Sequence, residues 1–183
     1  KLAYRTKILL ETNQLLQQAG SDAAIATVTS HQLLKLLNKT IVYYSADKKG
    51  LLPPVVYNVK NDVHTEQLIN SNERAVAQWV YKNNKRAGVK TGTLNNAKCQ
   101  YLAIRSKDNV YGVVGIAINN EDLDVFENNL VLSILGECAL ALEKEIYSKK
   151  RQEIYLQAKN EQLRSNLLRS ISHDLRTPLT GIV

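Results

Sequence analysis

Cysteine and histidine are scarce in this sequence, and their spacing argues against the usual metal and disulfide frameworks. The 183 residues include two cysteines and three histidines. Cys99 and Cys138 lie far apart, no Cys-x-x-Cys pair occurs, and the histidines do not cluster. Structural zinc sites and disulfide-stapled domains need closely spaced sets of such residues. We therefore expect no metal site and two buried thiols.

Long apolar runs and clustered positive charge are also missing. No stretch approaches the roughly 18 consecutive apolar residues that a membrane-spanning helix needs, and no signal-peptide pattern opens the chain. The net charge is +7, but Lys and Arg are scattered rather than gathered into the basic patch that is typical of nucleic-acid binding. We expect these 183 residues to be soluble by themselves and to have no nucleic-acid partner.

The apolar residues that are present alternate between helical and strand spacing along the chain. Helical spacing predicts helices at both ends and in the middle, and runs of β-branched and aromatic residues predict strands between them. The predicted helices cover residues 1–18, 21–38 and 71–83 and a last one capped by Asn120; the predicted strands cover residues 40–44, 55–59, 99–105 and 111–118. This order is typical of an α+β fold with an antiparallel sheet.

The last predicted helix is unusually long. Asn120 is its expected N-cap, with Glu121 and Asp122 in the first turn, where acidic residues favour the helix dipole. No turn-like break follows until Pro178, and beyond Leu142 the composition becomes polar with sparse apolar positions. This pattern predicts a partly coiled-coil helix that leaves the globular domain.

One histidine near the end of this helix, His173, is predicted to lie on the exposed side of the helix. At about 100° per residue, Leu168, Ile171 and Leu175 form a seam that we expect to be buried, whereas His173 lies on the exposed side. Arg169 and Thr177, each one turn away, share the exposed face. An exposed histidine beside the acidic Asp174 could be ordinary surface, or its ring could accept a phosphoryl group.

The residues around this histidine resemble a known motif. Ser172-His173-Asp174-Leu175-Arg176-Thr177-Pro178-Leu179 resembles the H box of sensor histidine kinases, where a helical dimerisation and phosphotransfer domain precedes an ATP-binding domain. The resemblance implies that His173 is the phosphoacceptor and Asp174 its acidic activator. It also implies that Thr177 helps to position water when the response regulator is dephosphorylated, and that Pro178 bends the helix.

A second resemblance covers the preceding residues. Residues 73–83 and 87–94, which include Trp79, are similar to the GAF-like domain of KdpD-type kinases, and the similarity extends from about Tyr4 to the H box. It implies a GAF-like sensor domain at 1–142 with a central antiparallel sheet flanked by helices. A signalling helix at 143–162 then leads to the start of the dimerisation and histidine phosphotransfer helix at 163–183.

The two resemblances imply a function in two-component signal transduction and phosphorelay. His173 would accept phosphate from ATP, bound with Mg by a C-terminal domain outside this chain, and pass it to a response regulator that controls potassium-uptake genes. The parent would be a homodimer through its C-terminal helix, on the cytoplasmic side of the cell membrane. Because no nucleotide-binding boxes occur before Val183, we expect the chain alone to be inactive with ATP.

Two other functions remain open from the sequence. The chain could be an independent small-molecule-binding GAF module, or a structural dimerisation module. No residue pattern identifies a cofactor or a small-molecule ligand for the GAF-like domain. Trp79 is expected in the core, and the loop Thr91-Gly92-Thr93 could face a ligand or be plain surface.

Overall fold

The structure is a computed structural model that describes the backbone of residues 2–60 and 64–181, and side chains as far as Thr177. Four α-helices, six strands and one short 3₁₀ helix alternate along these residues. They are α1 (Leu2–Gln18), α2 (Asp22–Leu37), β1 (Ile41–Asp47), β2 (Gly50–Leu51), β3 (Val55–Tyr57), the 3₁₀ helix Thr65–Leu68, α3 (Ser71–Asn83), β4 (Ala87–Gly88), β5 (Cys99–Ser106), β6 (Asn109–Ala117) and α4 (Val125–Gly181).

The strands form one antiparallel sheet. Its order is β2-β1-β6-β5-β4, and β3 pairs with the same edge of β1 as β2 does. The register places Tyr43 opposite Val114 and Leu102 opposite the same Val114, so β6 lies in the centre between β1 and β5. The predicted antiparallel sheet is therefore confirmed, with two short edge strands, β2 and β4, that the sequence pattern did not predict.

Helices cover both faces of the sheet. Strand β1 contributes buried side chains to both faces, because successive residues of a strand point to opposite sides. Ile41 and Tyr43 join α1, α2 and the first part of α4 in one buried cluster. Val42 and Tyr44 join α3 in the other cluster. The α+β class with flanking helices is thus confirmed.

The helix ends show which polar residues act as caps. The side chain of Ser21 accepts from the backbone N–H of Ala24 at 3.1 Å, as predicted for the start of α2. The start of α4 differs from the prediction at Asn120, because the helix begins at Val125. Asp124 accepts from the backbone N–H of Glu127 at 2.7 Å, and Glu127 accepts in return from that of Asp124 at 3.2 Å. This reciprocal capping box determines where the helix begins.

Two glycines allow the sheet to pack closely. Gly88 in β4 has a φ of 108°, and a Cβ built on it would lie 2.2 Å from the carbonyl oxygen of Cys99. A Cβ on Gly115 in β6 would lie 2.6 Å from the ring of Tyr101, its partner across the strand pair. Both positions therefore require glycine while their present neighbours stay in place.

The chain divides into two compact units, Lys1–Glu145 and Ile146–Val183. The second unit is helical from Ile146 to Gly181, and its described side chains are exposed. Leu168, Ile171 and Leu175 are 55%, 45% and 60% exposed. The expectation of a buried seam is therefore wrong for the single chain, because no other element covers this face among the described residues.

By length and composition, the stretch Val125–Thr177 of α4 could cross a membrane. Part of its apolar face is nevertheless buried in the first unit, where Leu130, Ile134 and Cys138 are fully buried. The core helix of a globular domain meets the same criterion, so length and composition alone are weak evidence for a membrane span.

Candidate functional site

The three residues predicted for phosphate chemistry lie within about one turn of α4. The side chains of His173 and Asp174 are 81% and 79% exposed, and Asp174 Oδ1 lies 3.8 Å from His173 Nδ1. That distance suits a charge interaction rather than a direct hydrogen bond. Nδ1 is thus the ring nitrogen that faces the carboxylate, and Nε2 is the other one.

Thr177 lies one turn beyond the histidine. Its hydroxyl donates to the backbone carbonyl oxygen of His173 at 3.1 Å. This bond is a common helical arrangement for threonine and keeps the hydroxyl on the helix surface. The structure therefore brings His173, Asp174 and Thr177 together, and their chemical roles stay predictions. The helical course continues through Pro178, whose side chain lies outside the described ones.

A buried carboxylate in the first unit was missed by the sequence analysis. Glu73, in the first turn of α3, is 1% exposed. Its Oε1 accepts from the backbone N–H of Cys99 and from the Tyr101 hydroxyl, both at 3.0 Å. The backbone N–H of Lys98 lies 3.1 Å from either oxygen. The carboxylate thus ties α3 to the start of β5. In the sequence, a glutamate at this position reads as an ordinary exposed residue at a helix N-terminus.

The groups around Glu73 are held in their protonated forms. Burial raises the pKa of the Cys99 thiol to about 12, and the Glu73 carboxylate adds to the rise. Burial also raises the pKa of Tyr44 to about 12 and that of Tyr101 further, with Cys99 contributing to both. The rings of Tyr44 and Tyr101 meet edge to face, with centroids 6.2 Å apart. Because a thiol must ionise to be a nucleophile, this cluster is structural: it fills the space between α3 and the sheet.

The second thiol lies in the other core. Cys138 is fully buried, 3.8 Å from the Tyr43 hydroxyl, and burial raises its pKa to about 11. The expectation of two buried thiols is confirmed. Among the described residues, no three His, Cys, Asp or Glu side chains lie close enough together to hold a metal ion.

The loop that could have faced a ligand is a self-contained turn. The Thr91 hydroxyl lies 2.7 Å from the carbonyl oxygen of Gly88 and 2.8 Å from that of Thr93, and it accepts from the Thr93 N–H. Its hydrogen-bonding capacity is therefore used within the loop. Trp79, expected in the core, is only partly buried and packs against the cluster beneath α3.

Comparison with solved structures identifies the fold. The crystal structure of the native GAF domain of the potassium sensor histidine kinase KdpD from Escherichia coli matches with a TM-score of 0.67 and 21% identity, covering 80% of this chain and 99% of that one. The GAF domain of an Acinetobacter phosphoenolpyruvate-protein phosphotransferase matches with a TM-score of 0.55 and 10% identity, covering 77% and 93%. The chain therefore contains a GAF domain.

Comparison with the sequences of characterised proteins narrows the class of protein to which this chain is similar. No protein-family model matches the chain. It is 35% identical over 179 residues to the sensor protein KdpD of Clostridium acetobutylicum, covering 97% of this chain and 20% of that protein. It is 28% identical over 178 residues to KdpD of Escherichia coli, covering 96% and 19%. The resemblance to KdpD-type sensor proteins is thus confirmed over nearly the whole chain, which spans about one fifth of the length of the curated relatives it matches.

Proposed function

We propose that this chain is the signal-input and phosphoacceptor segment of a two-component sensor histidine kinase that controls potassium-uptake genes. The observation that carries the proposal is the 35% identity to a KdpD sensor protein over 97% of the chain, H box included. The exposure of His173 supports it, because a phosphoacceptor must be reached by two partners in turn.

The geometry around His173 suggests how the ring would react. Asp174 faces Nδ1, so its carboxylate favours the tautomer in which Nδ1 carries the proton and Nε2 keeps its lone pair. Nε2 would attack the γ-phosphorus of ATP, forming an N–P bond while the bond to the ADP oxygen breaks. The positive charge that develops on the ring is stabilised by Asp174. A domain outside these residues would bind the ATP with Mg, and a response regulator would then receive the phosphoryl group.

The second unit offers a surface for a partner subunit. Three of its exposed apolar residues, Leu168, Ile171 and Leu175, are spaced three and four apart, which is the spacing of a coiled-coil seam; Leu163 and Leu167 are exposed as well. We propose that a second copy covers this seam in the parent protein. That parent would be attached to the cell membrane, with this segment on the cytoplasmic side.

The direct test replaces the corresponding segment of Escherichia coli KdpD by residues 1–183 and supplies labelled ATP. His173→Gln removes the nucleophilic ring but keeps a polar side chain, so incorporation of acid-labile phosphate should fall at least about 100-fold. His31→Gln is the matched control, since His31 is also an exposed helical histidine. Equal labelling of His173→Gln and the unmodified chimera would refute the phosphoacceptor assignment.

Two further substitutions separate the roles of the neighbouring residues. Asp174→Asn removes the charge beside Nδ1 and should slow autophosphorylation by about tenfold or more. Thr177→Ala deletes the hydroxyl that donates to the backbone carbonyl oxygen of His173, and alanine favours the helix. It should therefore leave autophosphorylation intact while dephosphorylation of the response regulator falls. Equal loss of both activities in Thr177→Ala would contradict the role given to Thr177.

A further inference from the structure

A pocket of about 290 Å³ lies where β5 meets the start of α4. Three parts of the chain line it: the residues between α3 and β4, the second half of β5, and the first turns of α4. Leu102 of this lining belongs to the α4 side of the sheet, whereas Tyr101 fills the α3 side. The described backbone is continuous from His64 to Gly181, so every chain segment next to the pocket in sequence is described.

The pocket contains a guanidinium group that the domain leaves without a partner. Arg86 lines the pocket and is partly buried, and its side chain has no hydrogen bond or ion pair with another described residue. Burial lowers the pKa of the Arg86 guanidinium; the Asp122 carboxylate raises it, and Arg105 lowers it again. Asp122 Oδ1 accepts from the backbone N–H of Leu123 at 2.7 Å. A partly buried charge without a partner is costly, so Arg86 gains most from an external anion.

A second guanidinium group is held beside the first. Nη1 of Arg105 donates to the backbone carbonyl oxygen of Asn84 at 3.2 Å and lies 3.5 Å from the side-chain oxygen of the same residue. Both acceptors are neutral, and Nε and Nη2 carry three further N–H donors. Lys85 adds a third positive charge to the lining, and none of the described lining residues is Asp or Glu. The pocket is therefore positively charged.

The α4 side of the pocket contributes a side-chain amide. Asn128 lines the pocket, and its buried Oδ1 has no hydrogen-bond partner among the described residues. Buried polar atoms without partners are rare in folded proteins. Because a half-turn of the amide exchanges its oxygen for its NH₂ group, Asn128 can supply two N–H donors to an anion. The amide thus adds neutral donors to those of the two guanidinium groups.

This set of donors defines a class of ligand. Guanidinium groups form paired, charge-assisted hydrogen bonds with the oxygens of phosphate and sulfate groups. Two neighbouring positive charges attract a dianion more strongly than a monoanion. We propose that the pocket binds a small doubly charged oxyanion, of the phosphate or sulfate type, between Arg86 and Arg105. This proposal goes beyond the kinase proposal and does not depend on it, because it concerns residues of the first unit alone.

The test is calorimetric titration of the 183-residue chain with sulfate, phosphate and acetate at one ionic strength. We expect sulfate and phosphate to bind saturably and acetate, a monoanion, to bind at least about tenfold more weakly. Arg86→Gln and Arg105→Gln should each weaken sulfate binding by about tenfold or more. Arg151→Gln is the matched control, because Arg151 is an exposed arginine of the second unit. It should bind sulfate as the unmodified chain does.

Thermal unfolding supplies a second measurement. Sulfate stabilises most proteins because it is excluded from their surfaces, so its effect on the unmodified chain is compared with its effect on Arg86→Gln. We expect the rise in melting temperature to be at least about 2 °C larger for the unmodified chain. Without an oxyanion, Arg86→Gln should melt at the same or a higher temperature, since the substitution removes a partly buried charge beside Arg105.

Several outcomes would overturn the proposal. Absence of saturable binding of both sulfate and phosphate up to concentrations on the order of 10 mM would do so. So would equal weakening by Arg151→Gln and Arg86→Gln, because binding would then be diffuse charge attraction. Acetate binding as tight as that of sulfate would overturn the assignment of a dianion. Arg105 is exposed, so its variant should fold even if Arg86→Gln does not, and unchanged sulfate binding by that variant would also refute the site.

Discussion

The two units contain parts of one helix in opposite environments. Between Leu130 and Leu142, α4 buries seven side chains, each 7% exposed or less, in the core of the GAF domain. Beyond Ile146, every described side chain of the same helix is exposed. The helical backbone is common to both parts, so the difference lies in what packs against it. Since helices depend mainly on such packing, stability should be concentrated in the first unit.

The polar side chains of the two units also differ in their exposure to solvent. Glu73 is buried and has its hydrogen bonds satisfied by the protein, whereas His173 and Asp174 are open to solvent. Buried groups around Glu73 are kept protonated and inert, while exposed groups can meet an incoming partner. The GAF domain thus keeps its polar groups within its packing, whereas the exposed helix leaves His173 and Asp174 open to solvent.

Amide hydrogen exchange should show the largest contrast between the two units. We expect amides near Leu135 to open with a free energy close to that of global unfolding, and those near Gln157 to be protected far less. Exchange rates should therefore differ by roughly 1,000-fold or more, measured by mass spectrometry of peptides from α4. Equal protection of both regions would mean that the second unit is covered in solution.

Removing the buried carboxylate should be the most damaging substitution in the first unit. Glu73→Ala leaves two backbone N–H groups and the Tyr101 hydroxyl without their acceptor, which should cost about 3–5 kcal/mol in the free energy of unfolding. Glu66→Ala removes an exposed carboxylate from the nearby 3₁₀ helix and should change it by less than about 0.5 kcal/mol. Urea denaturation measures both. A loss below about 1 kcal/mol for Glu73→Ala would show that water replaces the missing oxygens.

A matched pair of isoleucines on α4 compares the two units directly. Ile134 is fully buried and Ile154 is 58% exposed. Ile134→Ala should lower the free energy of unfolding by about 2–5 kcal/mol, and Ile154→Ala by less than about 0.5 kcal/mol. If Ile154→Ala destabilises the protein in a concentration-dependent manner, a second copy must cover that position.

Alkaline pH should destabilise the first unit through its buried thiols. Cys138 has a pKa of about 11 when folded and 9.0 when exposed. The folded state therefore holds this proton more tightly, and the resulting stability is complete below pH 9.0 and lost as pH rises to about 11. The loss from Cys138 should be about 2–3 kcal/mol. Cys138→Ala should flatten the pH dependence of the melting temperature in this window; an unchanged slope would exclude the thiol as its source.

The sequence predicted the fold well where short-range patterns decide it. Ser21 was recognised as a cap, β5 and β6 were predicted within two residues, and the long final helix was expected. The start of that helix was misplaced because Asn120 and Asp124 are both good caps. The hydrogen bond that the Glu127 side chain accepts from the backbone N–H of Asp124 distinguishes Asp124 from Asn120 as the cap.

The candidate site was only partly predictable. A local motif identified His173, Asp174 and Thr177 because all three lie on one helix. Glu73 was missed because its partners are distant in sequence: it meets Cys99 and Tyr101 only after the sheet has formed. The seam at Leu168 is exposed in the single chain, since periodicity predicts a face but not what covers it.

The close contact between Gly115 and Tyr101 restricts how this domain can diverge over evolution. Any larger residue at position 115 needs a smaller one at position 101, because a Cβ would lie 2.6 Å from the ring. A smaller residue at position 101 would remove the hydroxyl that bonds to Glu73. The buried carboxylate would then lack one of its hydrogen-bond donors. Three positions from α3, β5 and β6 should therefore be inherited as a set, changing together across lineages or not at all.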